Sequence, residues 1–384
     1  MRFEFATAGR ILFGPGRLTE IGELAAGFGP RALLVTGSNA ERAEPVIRSL
    51  EAAGVSWVSL GIAHEPTTAD VQRGVALART EGCMLVIGFG GGSPMDGAKA
   101  VAALLANGGD PLDYLEVIGA GRPLTKGSAP CIAVPTTAGT GTEVTRNAVI
   151  LSPEHGVKVS LRGAGMLPRI ALVDPELGYG MSPEVTASTG LDALTQLIEP
   201  FVSSRANPMS DAFAREGIRR IARSLRRAYE QGDDRAARED MSLAAMYSGL
   251  AMANAGLGSV HGFAAVIGGV TSAPHGVVCA ALLPHAMRVN VRAFRERDPE
   301  SPSLRRYAEI GQLLTGASLA GAEDAIAYVE TLCAALHVPS LSTFGVQRNQ
   351  LPLILDRSAV SSSMKANPIA LTRDEMEAIV ERAL

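Results

Sequence analysis

Short apolar runs alternate with longer segments of helical periodicity through the first half of the chain. Strands are predicted at residues 31–36, 55–60, 84–89 and 129–135, and helices at 41–53 and 69–81. Strands separated by helices of this length indicate βαβ units and a parallel, doubly wound sheet. The opening segment, residues 3–13, alternates apolar and polar positions. This pattern predicts an edge hairpin, which would also suit pairing of two subunits in a homodimer.

The pattern changes after Asp174-Pro175, and from Ser182 onward it is helical almost to Leu384. Ser182 followed by Pro183 is typical of a helix N-cap with proline at the first helical position. We therefore expect an α/β domain at residues 1–178 and an all-α domain at residues 179–384.

The length of 384 residues supports two domains, and the content of 47% hydrophobic residues allows a substantial core. The formal net charge of −4 and the lack of a basic tract argue against nucleic acid as a partner. No run approaches about 18 apolar residues, and the amino terminus carries early charges, so neither a membrane span nor a signal segment is expected. The four cysteines form no CxxC pair, which favours a reduced, cytoplasmic location.

A glycine-rich turn follows the strand predicted at residues 84–89. Its sequence is Gly90-Gly91-Gly92-Ser93, and a helix is predicted to begin at Ser93 with Pro94 in its first turn. Glycines let a ligand approach the backbone closely, and a helix amino terminus offers unpaired N–H groups to an anion. The pattern differs from the GxGxxG fingerprint because Ser93 stands in place of the third glycine. Taken alone, the turn is as compatible with an ordinary loop as with a phosphate site.

A second polar loop follows the strand predicted at residues 129–135. It contains four threonines and two glycines in the sequence Pro135-Thr136-Thr137-Ala138-Gly139-Thr140-Gly141-Thr142. Hydroxyls and backbone amides suit a diphosphate or a ribose, although a loop that only caps a helix has the same composition. Two such loops at the carboxyl ends of parallel strands favour a bound nucleotide.

The helical half contains a candidate metal site. Asp192 and Gln196 are four positions apart, so a helix presents them on one face. His261 and His275 both lie in apolar, glycine-rich sequence. A carboxylate with two imidazoles suits a divalent metal with an open position, whereas two histidines in the core would give the same pattern.

Further segments match a known family in the same order along the chain. They are the glycine turn with Asp96 and Lys99, the threonine loop with Glu143, Val173-Asp174-Pro175, residues 189–194, His261-Gly262, Pro274-His275-Gly276 and Ala366-Asn367-Pro368. Along nearly its full length the chain thus resembles the iron-containing (group III) alcohol dehydrogenases. The resemblance implies a dehydroquinate synthase-like fold, with a dinucleotide-binding domain at residues 1–178 and a metal- and substrate-binding domain at 179–384.

The resemblance also implies the cofactors and their ligands. NAD or NADP is expected to contact Gly37, Gly90, Gly91, Gly92, Ser93, Asp96, Thr136, Thr137, Thr140, Val149 and Lys158. A divalent metal, iron or zinc, is expected on Asp192, Gln196, His261 and His275, of which Asp192, His261 and His275 form the catalytic set.

Three positions depart from the family pattern. Gln196 stands where the family has its fourth metal ligand, a histidine, and Ala265 replaces another histidine that lies near the reacting centre in many members. Gly37 stands where NAD-preferring members have an aspartate that binds the ribose 2′-hydroxyl. With Gly37, NADP becomes compatible with the sequence, and Arg42 is a candidate for contacting its 2′-phosphate.

The predicted reaction is reversible hydride transfer between the carbon of a small alcohol and C4 of the nicotinamide, assisted by the metal as a Lewis acid. Three alternatives remain at this point. The first is a metal-independent reductase resembling the maleylacetate reductases. The second is a lyase resembling dehydroquinate synthase, in which the nicotinamide is restored in each cycle. The third is an NAD(P)-binding protein whose catalytic site has decayed at Gln196 and Ala265.

Overall fold

A computed structural model describes residues 2–271 and 273–384 of the chain. The chain divides into two compact units, each with its own dense set of internal contacts. The α/β unit is Ala6–Tyr179, and the helical unit combines Gly180–Leu384 with the amino-terminal residues up to Phe5.

The α/β unit contains eight strands, of which six form one sheet and two form a separate antiparallel hairpin. They are β1 (Arg10–Phe13), β2 (Arg31–Thr36), β3 (Ser56–Gly61), β4 (Leu85–Gly90), β5 (Cys131–Pro135), β6 (Asn147–Ser152), β7 (Val157–Arg162) and β8 (Ile170–Val173). The sheet has the order β1-β8-β5-β4-β2-β3, and all of its neighbouring pairs are parallel. The predicted parallel α/β architecture is confirmed.

Helices cover both faces of this sheet. They are α1 (Ile21–Ala26), α2 (Glu44–Ala52), α3 (Thr68–Thr80), α4 (Gly92–Asn107) and the short α5 (Pro111–Tyr114). Successive strand residues point to opposite faces, so Leu33 packs into the apolar layer under α3 and α4, whereas Leu34 packs into the layer under α1 and α2. Burial on both faces explains why the strands read as continuous apolar runs.

The opening segment was predicted as an edge hairpin, and that prediction is wrong. Only Arg10–Phe13 forms a strand, and it pairs in parallel with β8. The N–H of Gly9 also donates to the carbonyl of Pro168 at 3.0 Å, so the segment is fixed against β8 just before the strand begins. An alternating pattern shows that one face is buried, but it does not identify the partner strand. The β6–β7 hairpin was not predicted at all.

The helical unit is built from nine α-helices within the described residues. They are α6 (Pro183–Val202), α7 (Pro208–Glu230), α8 (Arg235–Ala255), α9 (Ser259–Val270), α10 (His275–Arg297), α11 (Pro302–Thr315), α12 (Ala322–Ala335), α13 (Leu351–Ala359) and α14 (Arg373–Ala383). The predicted cap of α6 is present, since the Ser182 hydroxyl accepts from the N–H of Val185 at 3.3 Å. No single described helix is long and apolar enough to cross a membrane, although α8 and α9, bent by 101°, meet the length and composition criteria as a pair.

The strand order fixes where a ligand can bind in the α/β unit. The chain adds β3 on one side of β2 and then returns to place β4, β5 and β8 on the other side. The direction of winding therefore reverses between β2 and β4. In open α/β sheets, ligands bind outside the carboxyl ends of the strands at such a reversal. Gly37 follows β2 and the glycine turn follows β4, so both lie at this point.

Candidate cofactor and metal sites

The glycine turn and the threonine loop lie side by side at the carboxyl edge of the sheet. Gly90 pairs with Pro135, and the N–H of Thr136 donates to the Gly90 carbonyl at 2.8 Å. A Cβ atom added to Gly91 would lie 3.5 Å from the Thr137 hydroxyl, and one added to Gly92 would lie 3.0 Å from the Thr140 methyl carbon. The structure thus brings together the predicted residues Gly90, Gly91, Gly92, Ser93, Thr136, Thr137 and Thr140.

The backbone of the turn requires glycine at one position in particular. Gly90 has a φ of 149°, and a Cβ atom there would lie only 2.5 Å from Cγ of Pro94. The turn leads directly into α4, whose N-cap, Gly91, has no side chain with which to cap the helix. The first N–H groups of α4 are therefore available to an anion such as a cofactor diphosphate.

Gly37 occupies the position next to this turn. Thr36, which precedes it, is paired with Phe89 in the sheet. A Cβ atom on Gly37 would have its nearest neighbour, Cγ of Pro94, at 3.9 Å, which is an ordinary contact distance. A side chain would therefore fit at residue 37 without displacing a neighbouring atom. Arg42 is exposed, and its guanidinium donates to the Leu177 carbonyl at 2.8 Å.

Asp96 is the centre of a buried network that joins α4, the threonine loop and β6. One carboxylate oxygen accepts from the Thr142 hydroxyl at 2.7 Å, and the other accepts from the N–H of Val149 at 3.0 Å. The ammonium group of Lys99 lies 3.3 Å from Asp96 and also donates to the Thr142 carbonyl and the Thr145 hydroxyl, each at 2.9 Å. Asp96 and Lys99 therefore hold the threonine loop and the hairpin in place.

Val149 and Lys158 lie on opposite strands of the β6–β7 hairpin. The backbone N–H of Val149 is committed to Asp96, and its side chain is half-buried. The ammonium group of Lys158 lies 3.0 Å from the carboxylate of Glu65. Asp96 thus fixes the position of the hairpin, and Glu65 fixes the Lys158 side chain on it.

Three of the predicted metal ligands converge in the helical unit, together with a cysteine that was not predicted. The candidate ligand atoms of Asp192, His261, His275 and Cys279 all lie within 4.8 Å of one another. Nε2 of His261 lies 3.5 Å from Oδ1 of Asp192, and Nε2 of His275 lies 3.8 Å from the same oxygen. Asp192, His261 and Cys279 are buried, whereas the side chain of His275 is 37% exposed and opens the cluster to solvent.

The donor set fits a divalent cation. Oδ1 of Asp192 is buried and has no hydrogen-bond partner among the described residues. An unpaired buried carboxylate oxygen is costly unless a cation or a proton compensates it. Both histidines direct the same ring atom, Nε2, toward this oxygen. Carboxylate, imidazole and thiolate groups are the usual ligands of zinc and of related transition metals.

Close packing of α10 against α6 brings His275 to Asp192. Gly276, the next residue after His275, is in contact with α6, because a Cβ atom there would lie 2.4 Å from the Ser188 carbonyl oxygen. Any larger residue would push the start of α10 away from α6. The glycine of this His-Gly pair therefore meets a packing requirement.

Glu199 holds His261 in the orientation that a metal ligand needs, and the sequence analysis missed it. Its Oε1 accepts from the N–H of Val260 in the first turn of α9 at 2.7 Å, and its Oε2 lies 2.7 Å from Nδ1 of His261. A carboxylate at Nδ1 keeps the proton there and leaves the Nε2 lone pair free for a cation. Asn367 also stabilises this helix start, since its side-chain oxygen accepts from the N–H of Ser259 at 3.0 Å.

Gln196 lies beside the cluster and contacts Asp192. Its amide nitrogen donates to Oδ2 of Asp192 at 2.7 Å, and its carbonyl oxygen accepts from the hydroxyl of Ser248 at 2.9 Å. The carboxylate determines this orientation of the amide, because the opposite orientation would place two acceptor oxygens against each other. Gln196 thus orients the Asp192 carboxylate, while its own carbonyl oxygen is already engaged.

Mutual electrostatics shift the pKa values in the cluster. Burial acts to raise the pKa of Asp192, but the interactions with His261 and His275 hold it below its ordinary value. Burial opposes protonation of His261, yet its interactions with Cys279, Asp192 and Glu199 raise its pKa well above 6.5. The electrostatic interaction with Cys279 is the main cause that raises the pKa of His275 to about 9. A metal cation that binds here must displace these protons.

Two family profiles match the two halves of the chain. The profile described as iron-containing alcohol dehydrogenase matches residues 8–175, and the profile for the carboxyl-terminal domain of Fe-containing alcohol dehydrogenases matches residues 186–384. The chain belongs to the iron-containing alcohol dehydrogenase family. As a member of that family, it is an oxidoreductase that interconverts an alcohol with an aldehyde or ketone.

Relatives of this dehydrogenase align over nearly its whole length. The 1,3-propanediol dehydrogenase of Klebsiella pneumoniae is 34% identical over 390 residues, covering 99% of this chain and 98% of that protein. The NAD-dependent methanol dehydrogenase of Bacillus methanolicus is 33% identical over 381 residues, covering 97% of each chain. A solved 1,3-propanediol oxidoreductase superposes with a TM-score of 0.92 at 34% identity, over 100% of both chains.

The spacing of residues along α6 and α10 could have identified the two site residues of this alcohol dehydrogenase that were not predicted, Glu199 and Cys279. Glu199 follows Asp192 by seven positions and lies on the same face of α6, which also presents Gln196. Cys279 follows His275 by four positions and shares a face of α10 with it. Cys279 lies in an apolar run of the sequence, which is the usual setting of a structural cysteine.

Proposed function

We propose that this protein catalyses reversible, NAD(P)-dependent hydride transfer on small alcohols, with a divalent metal held by Asp192, His261 and His275. The observation that carries the proposal is the convergence of both imidazole Nε2 atoms on the buried Oδ1 of Asp192, which accepts no hydrogen bond from the described residues. The printed names of two relatives, a 1,3-propanediol dehydrogenase and a methanol dehydrogenase, support short-chain alcohols as the first substrates to test.

The residues of the chain have separate tasks in this mechanism. A bound metal supplies a Lewis acid for the substrate oxygen, and the nicotinamide supplies the redox chemistry. Glu199 keeps the Nδ1 proton on His261, and Gln196 fixes the second carboxylate oxygen of Asp192. His275, the most exposed member of the cluster, borders the path by which a small substrate reaches it.

The α/β unit binds the dinucleotide in this proposal. The amino terminus of α4, the glycine turn and the hydroxyls of Thr137 and Thr140 would hold the diphosphate. Because no acidic side chain is present at Gly37, we propose that the protein accepts NADP as well as NAD. The missing carboxylate would otherwise repel the 2′-phosphate of NADP.

Replacing His261 with Ala tests the proposed function. The variant is expected to fold and to bind the nicotinamide cofactor, but to lose turnover of 1,3-propanediol, measured by nicotinamide absorbance. Thr195→Val is a matched control, because Thr195 is buried on α6 and its hydroxyl donates to the Leu191 carbonyl of the same helix at 2.8 Å. Full activity of the His261 variant would refute the role of the metal site.

A cytoplasmic homodimer completes the proposal. The sheet has β1 at one edge, and an edge strand is available for pairing with a second copy. Light scattering on the purified chain measures the oligomeric state, and a monomer at micromolar concentration would contradict the proposed dimer.

A further inference from the structure

We propose that Cys279 is the fourth protein ligand of the metal, in place of Gln196, and that the resulting site selects zinc over iron. This inference rests on the proposed metal site and assigns its composition. Besides being buried, Cys279 lies within 4.8 Å of a carboxylate oxygen of Asp192 that accepts no hydrogen bond from the described residues, and Asp192 is only 3% exposed.

The distances fit tetrahedral coordination. Sγ of Cys279 lies 3.8 Å from Nε2 of His261 and 3.6 Å from Nε2 of His275. In a tetrahedral site with the usual zinc bond lengths, sulfur and nitrogen ligands are separated by about 3.6 Å and oxygen and nitrogen ligands by about 3.3 Å. The observed separations of 3.5 and 3.8 Å from Asp192 to the two histidines are close to the second value. Small movements of the side chains would therefore bring all four ligands to a cation, and a substrate oxygen would add as a fifth ligand.

Gln196 is poorly placed to be the ligand. Its carbonyl oxygen is the only atom of the side chain that binds metals, and it accepts from Ser248. Turning the amide to free this oxygen would break the bonds to both Asp192 and Ser248. The amide is better suited to holding Asp192, the role that it has in the structure. Cys279 therefore supplies the fourth metal ligand, which a histidine at residue 196 would otherwise provide.

The thiolate changes the chemistry of the site. Binding converts the Cys279 thiol to a thiolate and releases its proton to solvent, so the two anionic ligands balance the charge of a divalent cation. Soft thiolate ligands favour zinc over the harder iron(II) ion, because zinc is bound readily by sulfur and nitrogen together. We expect the purified protein to retain zinc preferentially when zinc and iron(II) are offered at equal concentration.

Cobalt(II) titration of the metal-stripped, full-length protein tests the proposal. A cobalt–thiolate bond gives an intense charge-transfer band in the near ultraviolet, whereas oxygen and nitrogen ligands give only weak visible bands. We expect one equivalent of cobalt to produce the intense band in the wild-type protein, and Cys279→Ser to remove it while cobalt still binds. Cys333→Ser is the matched control, since Cys333 is half-buried on α12 and its thiol contacts the Ala280 carbonyl at 3.6 Å. That variant is expected to keep the band.

The outcomes separate this inference from the proposed function. Weak visible bands without charge transfer in the wild-type protein would overturn the role of Cys279 and leave the metal site intact. Failure of the wild-type protein to bind cobalt or zinc would overturn both. A competition experiment gives a second measure, in which Cys279→Ser is expected to lose zinc affinity by at least about tenfold relative to Cys333→Ser. Equal zinc affinity of the two variants would contradict ligation by Cys279.

Discussion

Glu199→Gln is expected to weaken metal binding while the protein remains folded. The carboxylate accepts two hydrogen bonds, one from the N–H of Val260 and one from Nδ1 of His261, each at 2.7 Å. Glutamine has a single acceptor oxygen and cannot satisfy both. If the oxygen stays with Val260, the amide N–H₂ faces Nδ1 and forces the imidazole proton onto Nε2. If the amide flips, the N–H of Val260 is left facing a second donor.

The size of the effect follows from this geometry. A proton on Nε2 of His261 would point toward Asp192, 3.5 Å away, and occupy the lone pair that binds the metal. Loss of a partner that orients a metal-bound histidine costs about 10–100-fold in affinity. That range corresponds to about 1.4–2.7 kcal/mol of binding free energy. Because the cofactor residues lie in the α/β unit, cofactor affinity is expected to stay unchanged.

The assay is competition for zinc between the protein and a chromogenic chelator. Thr195→Val serves as the control, because it removes a buried hydroxyl of the same helix that donates to the Leu191 carbonyl. Thermal unfolding of both variants establishes that they are folded. A Glu199→Gln protein that binds zinc within twofold of the wild type would refute the claim that Glu199 sets the tautomer of His261.

Three further predictions concern the α/β unit. Gly37→Asp is expected to lower the catalytic efficiency with NADP relative to NAD by about tenfold or more, because the new carboxylate fits the space and repels a 2′-phosphate; an unchanged ratio would contradict this. Gly90→Ala is expected to abolish cofactor binding and lower the melting temperature, because the φ of 149° and the 2.5 Å approach of a Cβ atom to Pro94 exclude a side chain there. The control Gly61→Ala places its methyl group in open space, so cofactor binding and the melting temperature are expected to stay unchanged. Burial raises the pKa of Glu143 from 4.5 to about 7, so the native state binds the extra proton and its stability falls as the pH rises through this interval. Glu143→Gln cannot titrate, so it is expected to remove this pH-dependent loss of stability. In urea titrations, the unfolding free energy of the variant minus that of the wild type is expected to rise by up to about 3 kcal/mol between pH 4.5 and pH 7. A difference that does not change with pH would refute the prediction.

Much of the α/β sheet follows from the sequence because its inner strands β2, β4 and β5 are apolar runs buried on both faces, and the last two end in glycine or proline. The strand ending at Gly90 and the one ending at Pro135 were predicted to within a residue or two for this reason. The opening segment was misassigned because its pairing with β8 joins residues far apart in the sequence. No local pattern specifies such a partner.

The candidate site was predicted as far as spacing within one helix allows. Asp192 and Gln196 share a face of α6, but the sequence does not show that the Gln196 oxygen is engaged by Ser248 from α8. Cys279 had an equally clear spacing from His275, yet its apolar neighbours favoured a structural role. Only the convergence of α6, α9 and α10 shows that the thiol faces Asp192.

The dependence of turnover on bound metal tests the central claim most directly. The wild-type protein is stripped with a chelator and reloaded with increasing zinc, and both the bound metal and the rate of 1,3-propanediol oxidation are measured at each step. The rate is expected to rise in proportion to bound metal and to level off at about one metal per chain, bound at the site formed by Asp192, His261, His275 and Cys279. Full turnover by the stripped protein, with no response to added metal, would contradict it.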